Sequence, residues 1–237
     1  MQQSDLIIAV FEFVLLIFSL CVHECSHAWM ASRLGDQTAR MEGRITLNPM
    51  YHVDPVGTLL FPALMIFGPF IHLRFFGGML VGWAKPTPVN TRNFRRIVHD
   101  DNLTTLAGPA SNLLLALVGV LVLAFIAVAI PGGRPLVQYT FGGTLVPGVP
   151  TGLQAVILLA NLAIFVNLSL CIFNLFPIPP LDGSHIVRNM LPYNAVQVYD
   201  RIPIWVSYLL MIFLGPYVLM ALLRPAVTVV YIVLSHV

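Results

Sequence analysis

The sequence predicts an all-α polytopic membrane protein with about four to six transmembrane helices, on the evidence of its composition and its hydropathy pattern. Hydrophobic residues make up 58% of the 237 residues and charged residues only 9%, whereas soluble domains carry about 25% charged residues. No polar stretch is long enough to form a second module, so residues 1–237 are predicted to form a single domain within the lipid bilayer. The net charge of +2 does not favour nucleic acid as a partner.

Six apolar stretches follow one another along the chain, and four of them are predicted to span the membrane. The first, third, fourth and fifth reach the roughly 20 residues that a spanning helix needs. The second is interrupted by Pro62, Gly68 and Pro69, and such broken segments are tolerated where they are buried in protein or line a cavity. We therefore expect 56–84 to form a re-entrant segment. The six stretches run at about 6–31, 56–73, 103–130, 153–176, 204–223 and 225–237.

The basic residues predict the orientation in the cell membrane. Cytoplasmic loops collect Lys and Arg. If 56–84 enters and leaves on one side, nine basic residues share that side and Arg134 lies on the other, while the side of Arg224 is left open. This topology puts the N-terminus outside and the end of the first helix at the cytoplasmic side. The nine residues are Arg33, Arg40, Arg44, Lys85, Arg92, Arg95, Arg96, Arg188 and Arg201.

An HExxH pattern near the end of the first apolar stretch predicts a metal centre. On a helix, His23 and His27 lie one turn apart on the same face, which is the spacing of two ligands to a single zinc ion. Glu24 then lies beside the metal, where it can accept a proton from water. Three ionisable side chains inside a membrane segment are energetically costly, and such residues mark functional sites.

A third ligand is needed, because catalytic zinc sites use three protein ligands and keep one position for water. Asp182 is the candidate. It follows a run with three prolines that ends the fourth predicted helix. The predicted topology places that helix end at the same membrane depth as the HExxH pattern.

Several motifs in this order resemble the site-2 protease family of intramembrane zinc metalloproteases. They are HExxH, GRITLNP at 43–49, GWAKP at 82–86, AGPASN at 107–112 and NLFPIPPLDG at 174–183. The resemblance covers roughly residues 6–190 and is closest to the compact prokaryotic branch that lacks a PDZ domain. It implies that His23, His27 and Asp182 bind Zn²⁺, that Glu24 is the general base, and that Asn174 stabilises the oxyanion. Ser184 stands where the family more often has a second glycine.

Other polar residues have competing interpretations. Asn174 could also join helices by hydrogen bonding, a common role of asparagine in membranes. Asn112 is equally consistent with helix packing and with facing the site, whereas helix joining is the preferred interpretation for Asn167. His52 is placed near the mouth of the active site by the family resemblance. The alternation in Arg40–Asn48 predicts a strand edge within a small membrane-associated β-hairpin, to which an unwound substrate could add.

These features together predict a zinc-dependent intramembrane endopeptidase that cleaves unwound transmembrane segments of membrane-protein substrates. The alternative is a zinc-binding membrane transporter or channel, because buried His and Asp also mark ion paths. The absence of an inverted repeat and the glutamate beside the metal argue against transport. The identity of the substrate and the oligomeric state are left open by the sequence.

Overall fold

The described residues, 3–72, 83–140 and 150–236 of a computed structural model, form ten α-helices and contain no β-strand. This confirms the all-α prediction. The helices are α1 (Gln3–Leu34), α2 (Thr38–Met41), α3 (Phe61–Phe67), α4 (Ile97–Ala129), α5 (Gly133–Thr140), α6 (Thr151–Asn174), α7 (Asp182–Met190), α8 (Tyr193–Tyr199), α9 (Ile204–Phe213) and α10 (Gly215–His236).

Four of these helices, α1, α4, α6 and α10, are long and apolar enough to cross a membrane. One side of α4 illustrates how such a helix faces lipid. Its exposed side chains include a run of large apolar residues, which water would not solvate favourably but lipid would. They are Leu113, Leu114, Leu117, Leu121, Phe125 and Val128.

The centre of the bundle is α4, which packs against both α1 and α6. At Gly119 the helices approach so closely that an added Cβ would lie 2.9 Å from the backbone oxygen of Ala160 and 2.8 Å from Ile164. Small residues at such crossings are typical of membrane helices, which gain their association energy from close packing. Leu123, Ile157 and Ile164 are fully buried in the same core.

The C-terminal region differs from the predicted boundaries. The stretch 204–223 was expected to span as one helix, but it divides into α9 and α10 at Leu214. Gly215 and Pro216 begin a new helix there, and proline is accommodated in a first turn because the amide it lacks has no intrahelical partner. The expected short sixth stretch is then continuous with the rest of α10, which includes Pro225.

The predicted strand edge at Arg40–Asn48 is wrong, and no described residue forms the expected β-hairpin. Arg40 lies in α2, and Gly43 adopts a φ of 72° that reverses the chain. Arg44 is buried, and its guanidinium donates a hydrogen bond to the carbonyl of Tyr51. This charge-assisted bond closes the segment into a compact loop, which is incompatible with an extended strand.

The interrupted apolar segment is helical over Pro55–Ile71, with the α3 helix between two irregular turns. Pro62 lies in the first turn of α3, and the helical stretch ends at His72, which has a φ of 65°. Residues 73–82, including Gly77 and Gly78, lie outside the described residues. The re-entrant path therefore stays a prediction.

Candidate metal centre

The three predicted ligands, His23, His27 and Asp182, converge on one point. The Nε2 atoms of His23 and His27 are 3.0 Å apart. Asp182 Oδ2 lies 3.1 Å from His23 Nε2 and 3.4 Å from His27 Nε2. Both imidazoles are buried, with 4% and 8% of their surface exposed. The centre therefore lies between the first spanning helix and the start of α7.

These distances match the spacing of zinc ligands. With zinc–ligand bonds of 2.0–2.1 Å and tetrahedral angles, two ligand atoms lie about 3.3 Å apart. The three measured separations, from 3.0 to 3.4 Å, are close to that value. A metal ion bound by these three atoms would keep one tetrahedral position free, as catalytic zinc sites do.

Hydrogen bonds from α4 fix the tautomers of both histidines. His27 Nδ1 lies 2.8 Å from the backbone oxygen of Thr104, which can only accept, so this nitrogen carries the proton. His23 Nδ1 lies 2.6 Å from Asn112 Oδ1. In its neutral form, each ring therefore presents an unprotonated Nε2 to the centre. Such outer contacts orient metal-binding histidines and make them better ligands.

The orientation of the Asn112 amide is itself determined by a chain of bonds that begins at a backbone carbonyl. Asn167 Nδ2 donates to the carbonyl of Ala163 at 2.9 Å, so its Oδ1 is free to accept. Asn112 Nδ2 then donates to Asn167 Oδ1 at 2.9 Å, which directs Asn112 Oδ1 at His23. Asn112 and Asn167 are both almost completely buried. Asn112 therefore contacts the site directly, whereas Asn167 joins α6 to α4, as its preferred interpretation expected.

The cluster fits a divalent cation, because three ligand-type atoms face one point. Two imidazole nitrogens and one carboxylate oxygen, all acceptors in these states, face one another at hydrogen-bonding distance. Asp182 Oδ2 is buried and receives no hydrogen bond among the described residues. A buried cluster of this kind needs a positive charge at its centre, and a divalent metal would supply it by taking all three atoms as ligands.

Gly108 in the AGPASN motif provides the room for the centre. A Cβ at this position would lie 2.6 Å from His23 Nε2 and closer still to His27 Nε2. No side chain can be accommodated there without displacing an imidazole. Three consecutive turns of α4 therefore serve the site, at Thr104, Gly108 and Asn112, and the last two of these residues belong to the motif.

Asp182 is held in place by a close approach of α7 to the end of α6. Gly183 lies so near the backbone oxygens of Leu175 and Phe176 that a Cβ would overlap them. Ser184, the departure from the family pattern, is buried and donates a 2.6 Å hydrogen bond to the carbonyl of Leu181. Its hydroxyl is thereby satisfied within the first turn of α7, and the substitution leaves Asp182 at the cluster.

Glu24 has a partner that sequence reasoning missed. Its Oε2 accepts hydrogen bonds from the backbone N–H of Thr87 at 3.1 Å and from the Thr87 hydroxyl at 2.7 Å. These residues are 63 positions apart in the chain. The available signal was the Pro86-Thr87-Pro88 sequence next to the GWAKP motif, in which Thr87 has the only backbone N–H.

Neither Asn174 nor His52 has a described hydrogen bond to one of the three predicted ligands. Asn174 Nδ2 donates to the carbonyl of Leu170 on its own helix at 2.9 Å, and no described hydrogen bond joins it to the cluster. Its oxyanion role stays a prediction. His52 is buried, and its carbonyl accepts from the backbone N–H of Lys85 at 2.8 Å. His52 therefore contacts the segment that carries Thr87.

Fold and cluster together define a class: polytopic membrane proteins that enclose a zinc-type His/His/Asp centre beside a glutamate. Comparison with known proteins identifies the family. The model of "Peptidase family M50" matches residues 11–215. The chain belongs to this family, which confirms the resemblance to site-2 proteases. It is thus a member of a metalloprotease family, and the metal that this membership implies is zinc.

Curated relatives support the same assignment. The chain is 36% identical over 179 residues to "Putative zinc metalloprotease YwhC" of Bacillus subtilis, covering 76% of this chain and 68% of the relative. It is 30% identical over 201 residues to "Putative zinc metalloprotease Rip2" of Mycobacterium tuberculosis, covering 84% of this chain and 65% of the relative. The matched region of a Mycolicibacterium smegmatis protein of the same name covers 34% of that relative. No solved structure matches the chain.

Proposed function

We propose that this chain hydrolyses peptide bonds in the transmembrane segments of membrane proteins, with His23, His27 and Asp182 as zinc ligands and Glu24 as general base. One observation carries the proposal. Three ligand atoms converge at zinc-ligand spacing, and the residue that directly follows the first histidine is a glutamate. The two histidines and Glu24 all lie on α1, a helix long enough to cross the membrane.

The proposed chemistry divides between the metal and the protein. When bound, zinc supplies Lewis acidity, which polarises a carbonyl group and makes water more acidic. Glu24 accepts a proton from the attacking water and delivers it to the leaving amine. The hydrogen bonds from Thr104 and Asn112 hold the imidazoles in the orientation that ligation requires. Asn174 is proposed to donate to the oxyanion, for which its bond to Leu170 must open.

The substrate must expose its backbone before it can be cut. A transmembrane helix pairs its amides internally, so the segment near the scissile bond has to unwind. Membrane-protein substrates whose spanning segments contain helix-weakening residues are therefore the proposed class. The alternative of a zinc transporter or channel gains no support from the comparisons, which are with peptidases.

We also propose that the N-terminus lies outside, that the metal centre lies toward the cytoplasmic side, and that 56–84 is re-entrant. A contact between the two flanks of this segment supports the last point. Asp36, two residues after α1, accepts 2.7 Å hydrogen bonds from the Asn90 backbone and from the Asn93 side chain. Residues on opposite sides of a hydrocarbon layer about 30 Å thick could not make this contact.

The test is cleavage by purified protein in lipid vesicles. Vesicles containing a panel of single-span reporter proteins should yield fragments with the wild-type chain. Glu24→Gln should lower the rate by roughly 10²- to 10⁴-fold, because glutamine cannot accept the proton. Zinc content, measured by elemental analysis, should stay the same. Cleavage that persists in Glu24→Gln, or zinc flux into vesicles without cleavage by the wild type, would refute the proposal.

The natural substrate can be sought by proteomics. Membrane proteins from a strain that carries Glu24→Gln should include one or more that accumulate as uncut precursors, relative to the wild-type strain. Mass spectrometry would then place the scissile bond. A cut outside any apolar segment would contradict the proposed substrate class.

A further inference from the structure

The segment 83–90, which is neither helix nor strand, passes beside Glu24 and is fixed at both ends. We name it the 83–90 strap. At its start, the Trp83 backbone N–H donates to the carbonyl of Gly57 at 3.2 Å, and the Thr58 hydroxyl donates to the carbonyl of Trp83 at 2.7 Å. Its last residue, Asn90, donates its backbone N–H to Asp36 at 2.7 Å.

Thr87 lies at the middle of the strap and directs both of its donors at Glu24. Its backbone N–H and its hydroxyl both reach Glu24 Oε2. The same hydroxyl lies 3.1 Å from the Glu24 backbone oxygen, so the strap backbone runs close to α1 at this point. Among the described residues, Glu24 Oε1 has no hydrogen bond.

The local sequence makes this arrangement rigid. Pro86 and Pro88 have fixed φ angles and restrict the residues before them to extended conformations. Neither proline has an N–H, so the tripeptide has a single backbone donor, and that donor is used on the carboxylate. A segment with so little conformational freedom loses little entropy when it holds a partner in place.

We propose that Thr87 is a positioning residue for the general base: it holds the Glu24 carboxylate by Oε2, so that Oε1 is presented for proton transfer. The inference rests on the proposed function. A general base must lie within hydrogen-bond reach of the proton it takes, and a carboxylate on a rotating side chain meets that condition only part of the time. Two hydrogen bonds to one oxygen remove that rotation and still leave the other oxygen to react.

The opposite reading of the same contact is a latch, in which the strap occupies Glu24 until a substrate displaces it. The two readings predict changes of opposite sign. Loss of the hydroxyl from a positioning residue lowers the catalytic rate, whereas loss of the hydroxyl from a latch raises it. The anchored ends and the two prolines favour positioning, because a latch has to move.

The kinetic test uses Thr87→Val, which keeps the shape but removes the hydroxyl, and Thr87→Ser, which keeps the hydroxyl. With a single-span reporter that the wild type cleaves in lipid vesicles, Thr87→Val should lower kcat by roughly 10- to 100-fold, the usual effect of losing a hydrogen bond to a charged group. KM and zinc content should stay within a factor of about two. Thr87→Ser should restore most of kcat. Thr91→Val, the same change four residues along, is the matched control.

Each result decides the question. Faster cleavage by Thr87→Val would overturn positioning in favour of the latch. Equal losses in Thr87→Val and Thr87→Ser, or a change in KM alone, would assign Thr87 a structural role and also overturn the proposal. If Thr91→Val loses cleavage as Thr87→Val does, the segment tolerates no substitution. That result would contradict a specific role of the Thr87 hydroxyl.

A second measurement does not depend on activity. In a background without native cysteines, Glu24→Cys/Thr87→Cys should form a disulfide on mild oxidation, whereas Glu24→Cys/Arg92→Cys should not. No disulfide in the first pair would overturn the positioning contact even if the chain is a protease. If the disulfide forms and the wild type cleaves no membrane reporter, the contact stands and the proposed function fails.

Discussion

His23 Nδ1 and Asn112 Oδ1 are 2.6 Å apart, although 89 residues separate them in the chain. This bond joins the HExxH helix to α4. It is the last of three successive hydrogen bonds, the first of which is donated by Asn167 to the carbonyl of Ala163 and the second by Asn112 to Asn167. Because each amide in the series has only one consistent orientation, the proton of His23 is placed on Nδ1 by the protein and not by the metal. In the neutral ring, Nε2 is therefore the nitrogen that is left to bind a metal.

Removal of the Asn112 acceptor should weaken metal binding. Asn112→Leu should raise the dissociation constant for zinc by roughly 10- to 100-fold, the usual effect of losing an outer partner of a histidine ligand. Competition with a chromogenic chelator measures this constant. Asn112→Asp keeps an acceptor and should bind zinc more tightly than Asn112→Leu. Asn161→Leu, the same change on α6 outside this series of bonds, should leave the constant unchanged; equal weakening there would point to a general packing effect.

Replacement of Gly108 should empty the site. In Gly108→Ala the methyl group would occupy the space between the two imidazoles. We expect less than a tenth of the wild-type zinc content, since both ligands cannot keep their positions. The matched control is Gly119→Ala on the same helix, where the added methyl meets Ile164 and the Ala160 carbonyl. That variant should lower thermal stability and keep its zinc. Full zinc occupancy in Gly108→Ala would contradict the described packing.

The sequence was sufficient for the parts of the site that depend on local spacing. His23 and His27 follow from the helical period, and Asp182 from a proline-rich helix end at a matching depth. The Thr104 carbonyl could not be predicted, because every residue has a backbone oxygen and only the packing of α4 selects this one. The Pro86-Thr87-Pro88 sequence shows a single backbone donor, but it does not show that the partner is Glu24, 63 positions away in the chain.

The errors in the fold have the same origin. The weak alternation at Arg40–Asn48 is compatible with a strand, but the buried Arg44 guanidinium binds the Tyr51 carbonyl and the segment closes into a loop. Local alternation was outweighed by one strong tertiary bond. At the C-terminus, hydropathy alone could not locate the break at Leu214, because the residues on both sides are equally apolar.

Acid should release the 83–90 strap from Asp36. Burial alone would raise the pKa of Asp36, but the hydrogen bonds that it accepts from Thr38, Asn90 and Asn93 outweigh burial and lower that pKa. A lowered folded-state pKa contributes stability above the unfolded value of about 3.9, and this stability is lost as the pH falls through the folded value. Hydrogen exchange in peptides covering 83–93, corrected for the intrinsic pH effect, should therefore be slow at pH 6 and accelerate below about pH 4.

The control for this prediction is Asp36→Asn. The asparagine side chain does not titrate, and its NH2 group would face the Asn90 N–H, so two donors would meet. Exchange at 83–93 should already be fast at pH 6 in this variant, and it should change little on acidification. If the variant keeps slow exchange and the same acid response, another group would hold the strap.

The last prediction concerns topology, and it follows from the contact of Asp36 with Asn93. Because these residues touch, the loop after α1 and the segment before α4 should lie on the same side of the membrane, with 56–84 returning to that side.

Single cysteines at the exposed positions Arg40, Arg92 and Gln138, in a background without native cysteines, test this with a membrane-impermeant reagent. In intact cells only Gln138→Cys should react, since an odd number of spans separates it from the other two. In inverted vesicles Arg40→Cys and Arg92→Cys should react and Gln138→Cys should not. If Arg40→Cys and Arg92→Cys react from opposite sides, 56–73 crosses the membrane completely, and the orientation proposed for every later helix is reversed.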